Sequence, residues 1–421
     1  MFQYNMRLYI NRHIHYFISK QEILSSSDSG VFSSLSNQVK MVTFSLTISQ
    51  ILIHPIAGVL SDKYGGSLLL KIGLFIDTLL CISFGHIVWL FPWWGFPVIN
   101  FIFGSAQSFV LTSVYSLLAH WINKPELTFI STAINVTCFC WHSLFITIIG
   151  YVDVKSVSWS MEMVGFGGFT ILILLFFTVF SAPWTHPYLK KGRKTNLEYN
   201  TTNAFPQRIP FKNIIKSQSV RSVWFGYVAH KWLLIQLIFG YHTSWLYIFG
   251  DSKWMVKVLP LFGFFGGLIS GYIFQNIINK NKMPIIYVRI VANLAGILLA
   301  SLLITFGAHR HNIYFSFILY CLGFGVLGVG FTGSSVNVHD ITRHYSGTII
   351  GIGNGLVNCI TLFYDTTHPA SYCIDPKDKD IKLLWLTFFL SLASTVLSII
   401  WISAEQTPWD IVIEEEEEED D

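Results

Sequence analysis

Two cationic side chains stand next to each other at His230 and Lys231, deep in an apolar stretch between Trp224 and Tyr241. A lysine in such surroundings needs a partner or an aqueous space, and intramembrane charges are kept chiefly for binding a solute or moving a proton. Neighbours on a helix diverge by about 100°, so only one of the pair can line a shared space, and charge favours Lys231. Asn100 and Gln107 lie seven residues apart, two turns on one helix face. They can donate into a central gap or, equally, bond one helix to the next. His54, His142 and His242 also interrupt apolar stretches, and imidazole titrates near neutral pH. A lone histidine in such a place is more often a hydrogen-bonded packing residue than a proton shuttle. Asp62 and Lys63 make an acid–base pair in the segment Gly58-Val-Leu-Ser-Asp62-Lys63-Tyr64-Gly65-Gly66, and Asp340 with Arg343 is spaced for a surface ion pair or a helix-end cap.

Enzymatic chemistry has no foothold here. Neither a H-E-x-x-H, a G-x-S-x-G nor a Walker pattern occurs, and Gly323-Phe-Gly325-Val-Leu-Gly328 has the dinucleotide spacing without a preceding strand. Six cysteines, at 81, 138, 140, 321, 359 and 373, have neither zinc spacing nor the pattern of a disulfide framework. No cofactor is expected beyond a coupling ion, a proton or sodium.

The elements that would position these residues are membrane helices. Charged residues are 12% of the 421 positions, hydrophobic residues 52%, and mean hydropathy is +0.53, a composition that cannot cover a water-soluble body. With a net charge of only +3 and basic residues dispersed among apolar ones, nucleic-acid binding is excluded; the partner is a lipid bilayer. About twenty apolar residues span the hydrocarbon as a helix. Eleven segments meet that length, near 41–60, 68–90, 94–119, 128–150, 160–182, 222–248, 255–278, 284–307, 312–336, 345–366 and 381–403. Residues 1–40 form a polar amino-terminal segment that lacks a spanning helix. The segment 183–221 holds Lys190, Lys191, Arg193, Lys194, Arg208, Lys212, Lys216 and Arg221, which places it in the cytoplasm. Even numbers of crossings put Lys63, Lys124, Lys280, Lys282 and Arg343 on the same side. The acidic run 404–421 is a solvated, disordered tail. The sequons at Asn135 and Asn200, one inside a helix and one in a cytoplasmic loop, stay unmodified.

The halves 41–182 and 222–403 repeat. Gly58-Val-Leu-Ser-Asp62 recurs as Gly271-Tyr-Ile-Phe-Gln275, with the carboxylate lost from the second copy. Gly263, Gly267 and Gly271, and Gly347, Gly351 and Gly355, make two flat helix faces suited to close backbone approach.

The nine residues 58–66 resemble the signature that major facilitator transporters carry between their second and third helices. The resemblance narrows to the anion:cation symporter family, which includes sialin, the vesicular glutamate transporters and the sodium-phosphate cotransporters. It rests on Trp121 with Pro125-Glu126, Pro183 with His186-Pro187, Asn337-Val-His-Asp340 with Tyr345, Gly351 and Asn354, and Glu405-Gln406-Thr-Pro408-Trp409. It implies an all-α membrane protein of the major facilitator fold, two pseudo-symmetric bundles of about eleven helices lacking a first helix. The implied function is secondary active transport of a small organic or inorganic anion by a monomer in a plasma, vesicular or lysosomal membrane. Binding residues would be Asn100, Gln107, His230, Lys231 and Asn337; gating residues would be Gly58, Asp62, Lys63, Glu126, Asp340 and Arg343. Where the family carries arginine and glutamate, this chain has Asn100 and Gln107, and the family's arginine in the seventh helix falls at His230, so the resemblance favours His230 as the lining residue where charge favours Lys231. Those neutral replacements leave open a transport-inactive member acting as a membrane scaffold or partner-binding protein.

Overall fold

The structure, a computed structural model, describes residues 29–90, 95–151, 168, 171–175, 209–236, 253–308, 312–367 and 379–410. Most of the expected segment 160–182, the end of 222–248, His242, the loop 183–208, the amino-terminal 28 residues and the acidic run beyond 410 lie outside the described residues.

Everything regular among the described residues is helical. Hydrocarbon offers no water to bond peptide groups, so an apolar chain satisfies them within each segment. The helices are α1 (Ser29–Tyr64), α2 (Gly66–Leu90), α3 (Gly95–Trp121), α4 (Lys124–Tyr151), the short α5 (Phe211–Lys216), α6 (Gln218–Ile235) and α7 (Lys253–Asn279). They continue with α8 (Ile285–Ala308), α9 (Ile313–Ile341), α10 (Ser346–Thr367) and α11 (Lys379–Ile400). Eight of these are long and apolar enough to cross a membrane. Their outer faces present Leu52, Phe75, Phe265, Ile269 and Leu322 to lipid rather than hiding them. The first helix starts at Ser29, twelve residues before the expected segment at 41, because the polar run 29–40 continues the same helix instead of forming a separate segment.

Two helices are modified internally. A π-helical stretch, Leu294–Leu299, interrupts α8. In α9 a 3-10 turn at Gly330–Thr332 breaks the rod, and Asn293 of α8 braces the break by accepting from the Ser334 amide and hydroxyl, both at 2.9 Å. The glycines of the dinucleotide-like segment serve packing: a Cβ on Gly323 would meet Ile304, and one on Gly328 would strike the α7 backbone at Gly263 and Gly267.

The packing repeats. Helix α3 is flanked by α1 and α2, as α9 is flanked by α7 and α8. Two seams then join the first set to the second, α1 against α10 and α4 against α7. Both expected glycine faces lie on these seams. Gly347, Gly351 and Gly355 meet Asp62, His54 and Pro55 of α1, while Gly263, Gly267 and Gly271 meet Phe139, Val136 and Thr132 of α4. The paired turns also match: Gly65 after α1 and Asn281 after α7 both take left-handed backbone, with φ of 89° and 50°. Helix α10, which touches α1, α3, α6 and α9, has 67% of its spanning window inside the protein.

Candidate functional site

Among the described residues, a cation lies at mid-depth on α6, the helix that packs on α10 and α9. Lys231 lies thirteen residues beyond the start of α6, about 20 Å along a helix, which is well inside a hydrocarbon layer of about 30 Å. It is half-buried, and its Nζ sits 4.9 Å from the ring centroid of Phe331 and 5.4 Å from that of Tyr227. Cys138 of α4 is within electrostatic range. Among the described residues no carboxylate pairs with it. Two aromatic faces stabilise an ammonium only in part.

From Lys231 a line of polar rings runs toward the end where the basic loops gather. Tyr227 packs edge-on against Tyr115 of α3 at 6.4 Å, and Tyr115 stacks on His339 of α9 at 5.7 Å. The tyrosine hydroxyls donate to Asn135 of α4 at 2.9 Å and Asn354 of α10 at 3.0 Å. Five helices, α3 and α4 of the first half and α6, α9 and α10 of the second, thus converge on one buried polar column.

His230 points elsewhere, as the 100° divergence requires. Its Nε2 lies 2.9 Å from the Leu327 carbonyl and its ring stands edge-on to Phe331 at 4.6 Å, so it supports the broken part of α9. Gln107 is buried on α3, and among the described residues neither of its amide atoms, nor the Oδ1 of Asn337 on α9, has a hydrogen-bond partner. Asn100 is buried on α3. His54 has the packing role expected of a lone histidine, between the Gln50 carbonyl at 2.8 Å and Ser108 at 3.1 Å. His142 is buried on α4.

The basic end is tied across both seams. Asp62 is not half of a surface acid–base pair: it is fully buried and accepts from the amides of Gly347 at 3.0 Å and Thr348 at 2.6 Å, the first turn of α10. Lys63 is exposed and lies over the Tyr64 ring. A helix start carries unpaired amides and partial positive charge, which is why a carboxylate is drawn there and the lysine is left in solvent. Gly58 has no Cβ because the Gly347 carbonyl occupies its place.

On the other seam Gln275 does the equivalent work. Its Oε1 accepts from the amides of Thr128 at 2.8 Å and Phe129 at 3.2 Å in the first turns of α4, and its Nε2 donates to Asn279 at 2.9 Å. The second copy of the repeat has therefore lost its charge and kept its acceptor. Glu126, in the first turn of α4, is exposed.

Asp340 does not pair with Arg343. It is held by Arg289 of α8 through Nε at 2.8 Å and Nη2 at 3.2 Å, because a buried guanidinium requires a carboxylate while the Arg343 side chain reaches solvent. Arg289 also donates to the Thr332 carbonyl at 2.8 Å and across the seam to the Thr128 hydroxyl at 3.1 Å. Sequence reasoning passed over Arg289, although a charge five residues into an apolar segment is itself a signal. It also passed over Asp77, a carboxylate 5% exposed on α2 whose Oδ1 makes no hydrogen bond among the described residues.

Asp410 was missed as well. Burial opposes its charge, yet the His344 ring at 3.2 Å, the Arg343 amide at 2.8 Å and the Thr342 hydroxyl at 2.9 Å outweigh that and hold its carboxyl below the ordinary 3.8.

The Major Facilitator Superfamily model matches residues 11–363. Sodium-dependent phosphate transport protein 1 of Oryctolagus cuniculus is 21% identical over 419 residues, covering 93% of this chain and 86% of that protein. Sodium-dependent phosphate transport protein 4 of Homo sapiens is 22% identical over 271 residues, 62% of this chain, and the chain spans 64% of that relative's length. Vesicular glutamate transporter 2.2 of Danio rerio is 22% identical over 275 residues, 61% of this chain and 46% of that protein. Among solved structures, the proton:xylose symporter XylE bound to 6-bromo-6-deoxy-D-glucose superposes with a TM-score of 0.64 at 10% identity, covering 89% of this chain and 88% of XylE, a likeness of fold. The chain belongs to the major facilitator superfamily and is a multi-pass membrane transporter rather than an enzyme.

Proposed function

We propose that this transporter carries a small organic or inorganic anion by alternating access, driven by a proton or sodium gradient, with Lys231 as the cation that holds the anion. The observation that carries the reading is the half-buried ammonium at mid-depth on α6, flanked by rings and unpaired by any carboxylate among the described residues. Leaving such a charge uncompensated costs several kcal/mol, which an arriving anion offsets. Gln107 and Asn337 offer polar atoms unbonded among the described residues to the same solute. The relatives described above, phosphate and glutamate transporters, support the same class. The tied basic end is read as one of two access states, closed toward the cytoplasm. Asp77 is the residue proposed to hold the coupling ion, being a buried carboxylate outside every lock described above.

The test is uptake of phosphate, urate, glutamate and sialic acid into proteoliposomes under imposed pH and sodium gradients. Flux of at least one should respond to a gradient, and Lys231→Ala should reduce it by about tenfold or more, one lost charged contact of about 1.5–3 kcal/mol. Asp77→Asn should leave exchange intact while uncoupling it from the gradient. Absence of flux for all four, together with a stably co-purifying protein, would favour the scaffold reading instead.

A further inference from the structure

The turn that receives Asp62 is held from both sides. Asp62 reaches the amides of Gly347 and Thr348 from α1, while residues 342–344 are fastened by Asp410 from the segment that follows α11. Asp410 is fully buried and accepts from the Thr342 hydroxyl, the amides of Arg343 and His344, and the His344 ring, all within 3.4 Å. Thr407 adds two bonds to the Ile341 carbonyl, at 2.9 Å from its amide and 3.0 Å from its hydroxyl. Trp409 covers Tyr345 at 5.7 Å. The turn between α9 and α10 therefore has no freedom of its own, and the first amides of α10 are aimed before Asp62 arrives.

We propose that Asp410 is a positioning residue for the lock: the carboxy-terminal segment 401–410 presets the start of α10 so that Asp62 can close and reclose the α1–α10 seam. Asp62 and its target belong to different halves and must part when the basic end opens. Asp410 and its target belong to the same half and stay together, which keeps the receiving turn ordered through the cycle and lowers the entropy lost on closing. This rests on the alternating-access reading, but its test needs no substrate.

The experiment measures alkylation of a single introduced cysteine, Ser335→Cys, in full-length protein with the six native cysteines changed to serine, reconstituted in liposomes. Ser335 is fully buried beneath the tied seams, so an impermeant maleimide reaches it only when the basic end opens. Asp62→Asn serves as control and should raise the labelling rate. Asp410→Asn should raise it by about tenfold, the low end of what a charged hydrogen-bond hub contributes, and Asp410→Glu should restore it in part. Should Asp410→Asn fail to fold, Thr342→Val, which removes one donor to the hub, should still raise labelling about threefold. If Asp62→Asn accelerates labelling and folded Asp410→Asn or Thr342→Val does not, the positioning role is overturned while the gate stands. If Asp62→Asn itself has no effect, the gate reading fails first.

Discussion

Replacing Asp62 by asparagine separates the charge of the α1–α10 lock from its hydrogen-bonding shape. Two amides of α10 donate to the carboxylate at 3.0 and 2.6 Å. A hydrogen bond to a charged group contributes about 1.5–3 kcal/mol and a neutral one about 0.5–1.5. Charge at a partly buried helix start adds up to about 2 kcal/mol, a quantity that overlaps with the first. The molecule supplies its own control: Gln275 accepts two amides of α4 with one neutral oxygen, at 2.8 and 3.2 Å. Asparagine at position 62 should do likewise, so the loss is the charge alone, about 1–2 kcal/mol, or a 5- to 30-fold shift toward the open basic end. Asp62→Ala removes the acceptor too and strands two amides, which should shift the balance further. Alkylation of Ser335→Cys reads both. Native-like labelling in folded Asp62→Asn and Asp62→Ala would refute the claim that this carboxylate holds the seam.

Arg289→Met should leave Asp340 buried without its partner and destabilise the protein by about 3–5 kcal/mol, visible as a lower melting temperature in detergent, while Arg289→Met with Asp340→Leu should recover most of that loss. The Asp410 carboxylate should ignore mild acid. Its folded carboxyl titrates below the ordinary 3.8, so its contribution is complete above that value and is lost only as pH falls through the lower folded one. With His344 replaced by Gln, which removes the imidazole that itself titrates in this range and leaves Arg343 and His120 as the ionisable neighbours, the share of Ser335→Cys labelling that Asp410→Asn adds should stay constant between about pH 8 and about pH 5 and shrink only in stronger acid. A share that fell steadily over that interval would contradict the assignment.

The fold was legible because lipid-length apolar segments leave few alternatives to helices, and because the glycine triplets at 263–271 and 347–355 mark where backbones must touch. The repeat at 58–62 and 271–275 was legible for the same reason. Partners were not. Asp340 and Arg343 are close in sequence, yet position along a chain does not reveal which of two charges is buried, and Arg289 lies 51 residues away. The 100° rule correctly separated His230 from Lys231, but only the break at Gly330 decides which one α9 holds, since it brings Phe331 between them and gives His230 the Leu327 carbonyl. Asp410 sits at the edge of an acidic run, where composition suggests solvation; its burial depends on a turn that sequence does not place beside it.

The two seams differ in what parting them exposes. Across α4 and α7 the bonds are neutral, from the Thr128 and Phe129 amides to Gln275, and beside them Arg289 of α8 donates to the Thr128 hydroxyl. The Arg289 charge is already balanced by Asp340 within its own half, so separation there strands no ion. Across α1 and α10, separation takes Asp62 from the amides of Gly347 and Thr348 and leaves a carboxylate to be rehydrated. Breaking neutral bonds costs about 0.5–1.5 kcal/mol each, and stripping a buried charge of its donors costs more. On the proposed alternating-access reading, the repeat's loss of its second carboxylate divides the labour: the α4–α7 seam is expected to part at lower cost than the α1–α10 seam, where Asp62 must exchange two amides for water.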